Sequence, residues 1–307
     1  EYAHKITNEK KFLFSGGVAM NSSAVSKTTK LKFIEQLNIP PSPGDSGAAI
    51  GAAYYGFIQE NQQTVNVSNP ENNIVDYLFP GKIESNDDFF NLVFDKIADT
   101  KDSLMKVTEL ISKNEIIATC YGNIETGPRA LGHRSLICNA HNAELIKKLS
   151  TEIKKRNLFR PTAPVILKEN AEKYFHLEKS LMNCYLHMAT IATPRKELSD
   201  SIKGVIHADN SSRIQICHEN QLLGKILMNL KKYNIYLIAN TSFNISSDPM
   251  VYDKEDALLA TERMNIKYLL TENGLFVKKY IWIIICFSNL CSIVVIFCDD
   301  FNNRNDR

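Results

Sequence analysis

The chain has 307 residues, of which 44% are hydrophobic, and it carries a net charge of +2 at pH 7. The length predicts about two domains, and the composition is that of a globular protein. The near-neutral charge and the lack of aromatic residues interleaved with basic ones argue against a nucleic-acid-binding protein. Seven cysteines without a paired CxxC spacing favour reduced thiols in the cytoplasm over a disulfide framework or a zinc site.

Two glycine-containing loops mark the first segment. Lys11–Ser15 is predicted to be a strand that runs into Gly16 and Gly17. Such a loop leaves backbone N–H groups free, and these can bind phosphate or a nucleotide. A second loop, Pro43–Gly47, opens a predicted helix. Because the chain starts at Glu1, immediately before a strand, we expect a further part of the protein upstream.

Asp45 precedes the predicted helix Ala48–Gln59, where two roles are open to it. It could cap the helix, since Asp is among the best N-cap residues, or it could bind a cation. From the residues alone, capping is the favoured interpretation. The small side chains of this helix equally suit close packing.

A polar, asparagine-rich stretch, Gln62–Asn73, lacks the periodicity of a helix or a strand. We interpret it as a linker or surface loop and place the domain boundary between residues 61 and 100. Beyond it, Ser103–Ile111 has the apolar spacing of a helix, and Glu115–Tyr121 has the composition of a buried strand.

The segment Gly122–Ser135 (GNIETGPRALGHRS) follows that strand. Its Gly-Pro pair predicts a turn, because Gly accepts positive φ and Pro fixes its own φ. Arg129 and Arg134 leave the turn with guanidinium groups that match a phosphate or a carboxylate. A surface turn with solvated arginines is the alternative that the motif alone does not exclude.

Three more polar segments adjoin predicted strands. Two prolines hold Phe159–Pro164 extended and aim Arg160, Arg213 lies where a polar turn enters a strand, and Asn240–Asn244 follows the buried strand Ile235–Ala239. The remaining predicted elements are strands at Leu136–Cys138, Asn183–Ala192, Gly204–Ile206 and Ile266–Leu270, and helices at Ala143–Arg156, Gln221–Lys232 and Asp253–Met264.

This alternation of strands and helices predicts an α/β fold, in which ligands favour the loops at strand ends. Four arginines lie in or beside such loops: Arg129, Arg134, Arg160 and Arg213. Asn240–Asn244 adds hydroxyl and amide groups suited to a triphosphate, a ribose or a small planar amide. Together they predict a cavity for one or more phosphates.

Six motifs, in this order, resemble those of the O-carbamoyltransferases of nodulation-factor and antibiotic biosynthesis. They are FSGGVAMN, PGDSGAAIGAA, GPRALGHRS, FRPTAP, HADNSSRIQ and NTSFN, within residues 12–277. The resemblance implies that residues 1–60 are the C-terminal end of an actin-like, ATP-binding domain similar to the metal-dependent tRNA threonylcarbamoyl-transfer protein. Residues 61–100 would be a linker, and residues 101–279 a YrdC-like α/β domain similar to the carbamoyl-adenylate synthases.

The resemblance also implies a two-step reaction. The YrdC-like domain would make carbamoyl-adenylate from carbamoyl phosphate and ATP with Mg²⁺, and the other domain would pass the carbamoyl group to a hydroxyl of a small acceptor. Arg129 and Arg134 would hold phosphates, with Arg160 and Arg213 completing the clamp. The residues implied to contact the nucleotide or line its pocket are Gly16, Gly17, Asn21, Ser46, Gly47, Asn240, Ser242 and Asn244.

A metal site is implied but incomplete. The family pattern makes Asp45 a ligand to Fe²⁺, with histidine ligands from a region upstream of this chain. One carboxylate cannot hold a transition metal against water, and no histidine here has ligand-like spacing. Fe²⁺, and with it the transfer step, is therefore expected only if those upstream ligands are supplied.

The tail, residues 280–307, contains the apolar run Ile281–Cys298. Its 18 residues are near the lower limit for a membrane span, so a C-terminal anchor on a cytoplasmic enzyme and an aberrant extension stay as alternatives. A homodimer is also left open. The alternative function is a non-catalytic remnant that keeps the nucleotide pocket without turnover.

Overall fold

The computed structural model describes residues 1–61, 78–79, 93–157, 159–160, 162–246 and 248–279, together with the backbone of residues 281–284 and 294–297. The predicted linker Gln62–Asn73 therefore lies outside the described residues. So do three of the seven cysteines. The four described cysteines are buried free thiols: Cys120, Cys138, Cys184 and Cys217.

One mixed sheet of eight strands dominates the described structure. In chain order its strands are β3 (Phe94–Ala98), β4 (Ile117–Cys120), β5 (Arg134–Asn139), β6 (Ala163–Leu167), β9 (Gln215–Cys217), β10 (Leu237–Ser242), β11 (Tyr268–Thr271) and β12 (Gly274–Lys278). Across the sheet the order is β3-β12-β11-β4-β5-β10-β6-β9. The pairs β11–β4 and β6–β9 are parallel, and the other five are antiparallel.

Helices cover both faces of this sheet, because successive strand residues point to opposite sides. One apolar cluster packs α4 (Thr100–Ser112) and α7 (Leu222–Leu230) against one face, and another packs α5 (Ala143–Lys148) and α8 (Lys254–Met264) against the other. Between α5 and α7 in the chain lie α6 (Lys168–Tyr174) and two short paired strands, β7 (Phe175–His176) and β8 (Thr193–Pro194). The predicted α/β fold is confirmed.

Two predicted strands are wrong. The first half of Asn183–Ala192 lies in a 3₁₀ helix, Lys179–His187, and the first two residues of Gly204–Ile206 end another, Ser199–Val205. Their buried residues explain the error, since Leu181, Cys184 and Tyr185 recur at the three- and four-residue spacing of a helix rather than at every second position.

The first segment forms a smaller unit. Strands β1 (Lys11–Leu13) and β2 (Gln36–Asn38) pair in parallel, and the helices are α1 (Tyr2–Thr7), α2 (Ser22–Lys27) and α3 (Asp45–Asn61). This unit contacts the larger one: Cys184 Sγ donates to the Leu37 carbonyl at 3.3 Å, and both residues belong to the same apolar cluster. Helix α3 has no buried residue within the described structure.

The apolar tail is described only in part. Strands β13 (Ile281–Ile284) and β14 (Val294–Phe297) pair antiparallel, and the rest of the tail lies outside the described residues. None of the described helices combines the length and the apolar character that a bilayer crossing requires.

Candidate anion-binding site

A cavity of about 520 Å³ opens at one end of the large sheet. In the register of the strands, Ser242 pairs with Ser135 and Asn240 pairs with Ala163. Because β10 runs antiparallel to both β5 and β6, its carboxyl end meets their amino ends at this edge. The volume is in the range of small-molecule sites.

Four arginines line the cavity: Arg129, Arg156, Arg160 and Arg213. Within the described structure, none of the ion pairs involves any of them. Burial lowers the pKa of Arg213 to about 9, and the charges of Arg129 and Arg156 add to the effect. Cations gathered without a described carboxylate partner disfavour one another, so the cavity suits an anion of more than one charge.

The structure brings together five of the predicted site residues. Arg129, Arg160, Arg213, Asn240 and Ser242 all line the cavity. They come from separate segments of the chain, as the prediction from strand-end loops requires. Their role in binding stays a prediction.

Sequence reasoning missed Arg156. Its Nη1 donates to Thr241 Oγ1 at 3.2 Å, which holds the guanidinium against the end of β10. The sequence pattern predicts that the basic residues here form the carboxyl end of a long helix, but α5 ends at Lys148 and a π-helical turn, Leu149–Ile153, follows. The spacing of Arg156 and Arg160, four residues apart, was the available signal.

Arg134 does not line the cavity, which corrects its predicted role as a phosphate ligand. Its side chain is 2% exposed, and its nitrogen atoms donate to four main-chain carbonyls. These belong to Tyr121, Gly122, His133 and Tyr252, at 2.9–3.2 Å. The guanidinium is thus occupied in fixing the loop that presents Arg129.

Glu125 and Gly127 shape the same loop. Glu125 Oε1 accepts hydrogen bonds from the backbone N–H groups of Leu131, His133 and Arg134 at 2.8–2.9 Å. Gly127 has φ of 88°, and a Cβ there would lie 2.0 Å from the Pro41 carbonyl oxygen. Only glycine fits this contact, which joins the loop to the first segment.

Asn244 also lies outside the cavity lining. Its Oδ1 accepts from Lys154 Nζ at 2.8 Å and from Ser242 Oγ at 2.6 Å. Its Nδ2 donates to the Asp248 carbonyl at 2.6 Å. Asn244 therefore supports the wall to which Ser242 belongs, and a direct contact with a nucleotide is not what this geometry favours.

The predicted site residues of the first segment do not line this cavity. The Gly16 N–H donates to the Pro43 carbonyl at 2.6 Å, and Asn21 caps α2 by accepting from the Ala24 N–H at 3.0 Å. Ser46 Oγ lies 2.5 Å from Ser42 Oγ. The remaining two, Gly17 and Gly47, are likewise absent from the lining.

Asp45 does not fit an iron site in the described structure. It is the first residue of α3 rather than a residue ahead of it, and its side chain is exposed. Nowhere in the described part of the chain do three His, Cys, Asp or Glu side chains meet in a group that could hold a metal. The described residues around Asp45 therefore do not form an iron site.

Comparison with known proteins gives one family match and several relatives. The family model described as "Carbamoyltransferase C-terminus" matches residues 108–279, more than half of the chain. An uncharacterized protein of Synechocystis is 29% identical over 293 residues, which cover 86% of this chain and 47% of that protein. Nodulation protein NolNO of Sinorhizobium fredii is 26% identical over 286 residues, covering 90% and 40%.

The chain thus spans about half the length of the curated relatives it matches. Among solved structures, full-length HypF in its phosphate- and nucleotide-bound form is similar with a TM-score of 0.39 and 19% identity. That similarity covers 56% of this chain and 21% of HypF.

Proposed function

The chain belongs to the family of the carbamoyltransferase C-terminus, and we propose that its arginine-lined cavity forms carbamoyl-adenylate from carbamoyl phosphate and ATP. Family membership confirms the resemblance that six sequence motifs predicted. In the whole protein, the carbamoyl group would then pass to a hydroxyl of a small-molecule acceptor. The observation that carries the proposal is the cluster of four arginines with no described carboxylate partner.

The proposed reaction balances with one water. Water cleaves carbamoyl phosphate to carbamate and inorganic phosphate. A carbamate oxygen then attacks the α-phosphorus of ATP, the bond between the α-phosphorus and the bridging oxygen breaks, and pyrophosphate leaves. Both steps develop negative charge on phosphoryl oxygens, which guanidinium groups held in place can stabilise.

Two of the arginines differ in burial, which suits them to different parts of the bound phosphates. Arg213 is half-buried and carries a lowered pKa, so a bound phosphate would relieve the greatest electrostatic cost there. Arg160 is exposed and can follow a phosphate chain toward the cavity mouth. The lining contains no described carboxylate, and ATP would accordingly bring Mg²⁺ as its own complex.

The test is ATP–pyrophosphate exchange by the purified chain, with and without carbamoyl phosphate. Exchange should require carbamoyl phosphate and should be lost in Arg129→Ala and Arg213→Ala. Arg195→Ala is the matched control, because Arg195 lies outside the cavity and donates to the Glu172 carbonyl. Binding of ATP by the folded protein without exchange would instead support the remnant, and no binding would exclude both.

A further inference from the structure

His207 forms one wall of the cavity and is the first of three linked groups. Its Nδ1 lies 2.8 Å from Ser211 Oγ, and Ser211 Oγ lies 2.6 Å from Asp209 Oδ1. The Ser211 N–H donates to the same Asp209 oxygen at 3.1 Å. The backbone of Ser211 is fixed as well, since its carbonyl accepts from the His207 N–H at 2.7 Å. The three side chains are thus held in one arrangement.

The chemistry of these groups fixes the direction of each hydrogen bond. An ionised carboxylate only accepts, so the single hydroxyl proton of Ser211 must be donated to Asp209. Ser211 Oγ is left as an acceptor for His207, and the Nδ1 of His207 must therefore carry the proton. A neutral imidazole with its proton on Nδ1 has a lone pair on Nε2. Within the described residues, Nε2 makes no hydrogen bond.

The surrounding charges favour this neutral form. Burial lowers the pKa of His207, Arg213 lowers it further, and Asp209 opposes them. The other charged groups that line the cavity are Arg129, Arg156 and Arg160, which also disfavour an imidazolium. At neutral pH the side chain that faces the arginines is a base with a free lone pair.

We propose that His207 Nε2 is the general base for the water that cleaves carbamoyl phosphate, a role that rests on the proposed function. Nε2 takes a proton from water as the water oxygen bonds to the carbamoyl carbon. The carbon–oxygen bond to phosphate then breaks, and the imidazolium returns its proton to the leaving phosphate oxygen. Carbamic acid loses its proton to solvent and becomes carbamate. Ser211 and Asp209 are positioning residues that keep the Nδ1 proton in place.

The base is needed for this step alone. Carbamate is already an anion when it attacks ATP, and adenylate formation then depends on the arginines rather than on proton transfer. This separation gives the proposal a direct test. Carbamate supplied from freshly dissolved ammonium carbamate bypasses the step that His207 is inferred to catalyse.

The experiment compares His207→Gln with the wild-type full chain in two assays of ATP–pyrophosphate exchange. With carbamoyl phosphate, the variant should be slower by about 100-fold or more, the usual contribution of a general base. With ammonium carbamate it should stay within about twofold, since that step uses no base. Phosphate release from carbamoyl phosphate, measured directly, should fall as the first assay does. His176→Gln, on an exposed strand residue, is the matched control.

Equal losses with both substrates, or no loss with either, would overturn the role of His207 while leaving the proposed function intact. Absence of exchange in the wild type with both substrates would overturn the proposed function and the role of His207 together. Ser211→Ala keeps the imidazole and provides a second test of the proposal should His207→Gln fail to fold. It should lower only the carbamoyl phosphate assay, and a loss in both assays would contradict the positioning role.

Discussion

Asn244 offers both of its oxygen atoms to Lys154, whose Nζ lies 2.6 Å from the Asn244 main-chain carbonyl and 2.8 Å from Oδ1. The same Nζ donates to the main-chain carbonyl and the hydroxyl of Ser242. Lys154 is 2% exposed, so these four oxygens replace its contact with water. Because Ser242 lines the cavity, this buried lysine fixes the cavity wall from behind.

Replacing Lys154 with Met should therefore loosen the Ser242–Asn244 turn. Within the described residues, removing this shared donor leaves the Asn244 main-chain carbonyl without a partner, at a cost of roughly 1–3 kcal/mol for a buried acceptor. The Ser242 carbonyl keeps the Asn244 N–H, and Asn244 Oδ1 keeps the Ser242 hydroxyl. We expect the free energy of unfolding to fall and pyrophosphate to bind more weakly. Urea unfolding and calorimetric titration measure the two effects. Lys155→Met, on the exposed neighbour, is the control, and an equal effect there would contradict the assignment.

The pH dependence of stability should also distinguish the Lys154→Met variant. Burial, with the charge of Arg156, lowers the pKa of Lys154 to about 7, against 10.5 for an ordinary lysine. Between these values the unfolded chain binds one more proton than the folded chain. The free energy of unfolding of the wild type should rise with pH in that window, by up to ~1.4 kcal/mol per pH unit relative to the variant. Urea unfolding at pH 7, 8 and 9 would refute this if the two proteins changed in parallel.

Arg134→Met should act on stability rather than on ligand contact. Three partly buried main-chain carbonyls, of Tyr121, Gly122 and Tyr252, lose this donor, while the His133 carbonyl keeps the Tyr121 N–H. We expect a loss of roughly 3 kcal/mol in the free energy of unfolding. The measurement is urea unfolding without ligand. A variant that kept wild-type stability but no longer bound pyrophosphate would restore the predicted role of Arg134 as a phosphate ligand.

Gly127→Ala and Gly51→Ala should change stability in opposite directions. At Gly127 the φ is positive and an added Cβ would lie 2.0 Å from the Pro41 carbonyl oxygen, so a methyl group has no space. We expect a loss of about 1–3 kcal/mol. At Gly51, within α3, nothing lies within 4 Å, and Ala should stabilise the helix by about 0.5–1 kcal/mol. Thermal unfolding of both variants tests the pair, and a stable Gly127→Ala protein would contradict the close contact.

Arg213→Met should stabilise the empty protein and abolish the stabilisation by ligand. The substitution removes a partly buried cation repelled by Arg129 and Arg156, and an apolar chain of similar length fills its place. We expect a gain of about 1–2 kcal/mol without ligand. Added pyrophosphate should raise the Tm of the wild type and leave that of the variant nearly unchanged. A less stable variant without ligand would show that Arg213 has a structural partner.

The sequence predicted the fold well where periodicity and burial agree. The helices at Ser103–Ile111 and Asp253–Met264 and the strand at Ile235–Ala239 lie within or beside the observed α4, α8 and β10. In the two predicted strands that overlap 3₁₀ helices, the apolar composition favours a strand, and only the spacing of the buried residues indicates a helix.

The site was predictable as a set of arginines but not residue by residue. Arg129 and Arg134 belong to one loop, and nothing in their spacing shows which guanidinium enters the cavity and which binds main-chain carbonyls. In the sequence, Arg156 looks like part of the basic carboxyl end of a helix, but the helix ends at Lys148. The role of Lys154, two residues before Arg156, depends on contacts with Ser242 and Asn244 that only the folded structure shows.

The pairing of β3 with β12 joins the strands of the large sheet that come first and last in the chain. Next to this pair, the Lys279 N–H donates to the Val93 carbonyl at 2.9 Å. During synthesis, β3 leaves the ribosome long before its partner exists. At ordinary translation rates the interval is on the order of 10 to 40 s. A ribosome that stopped before Gly274 would release a chain with β3 unpaired and the outer edge of β11 open, and such edges are where strands of separate chains join.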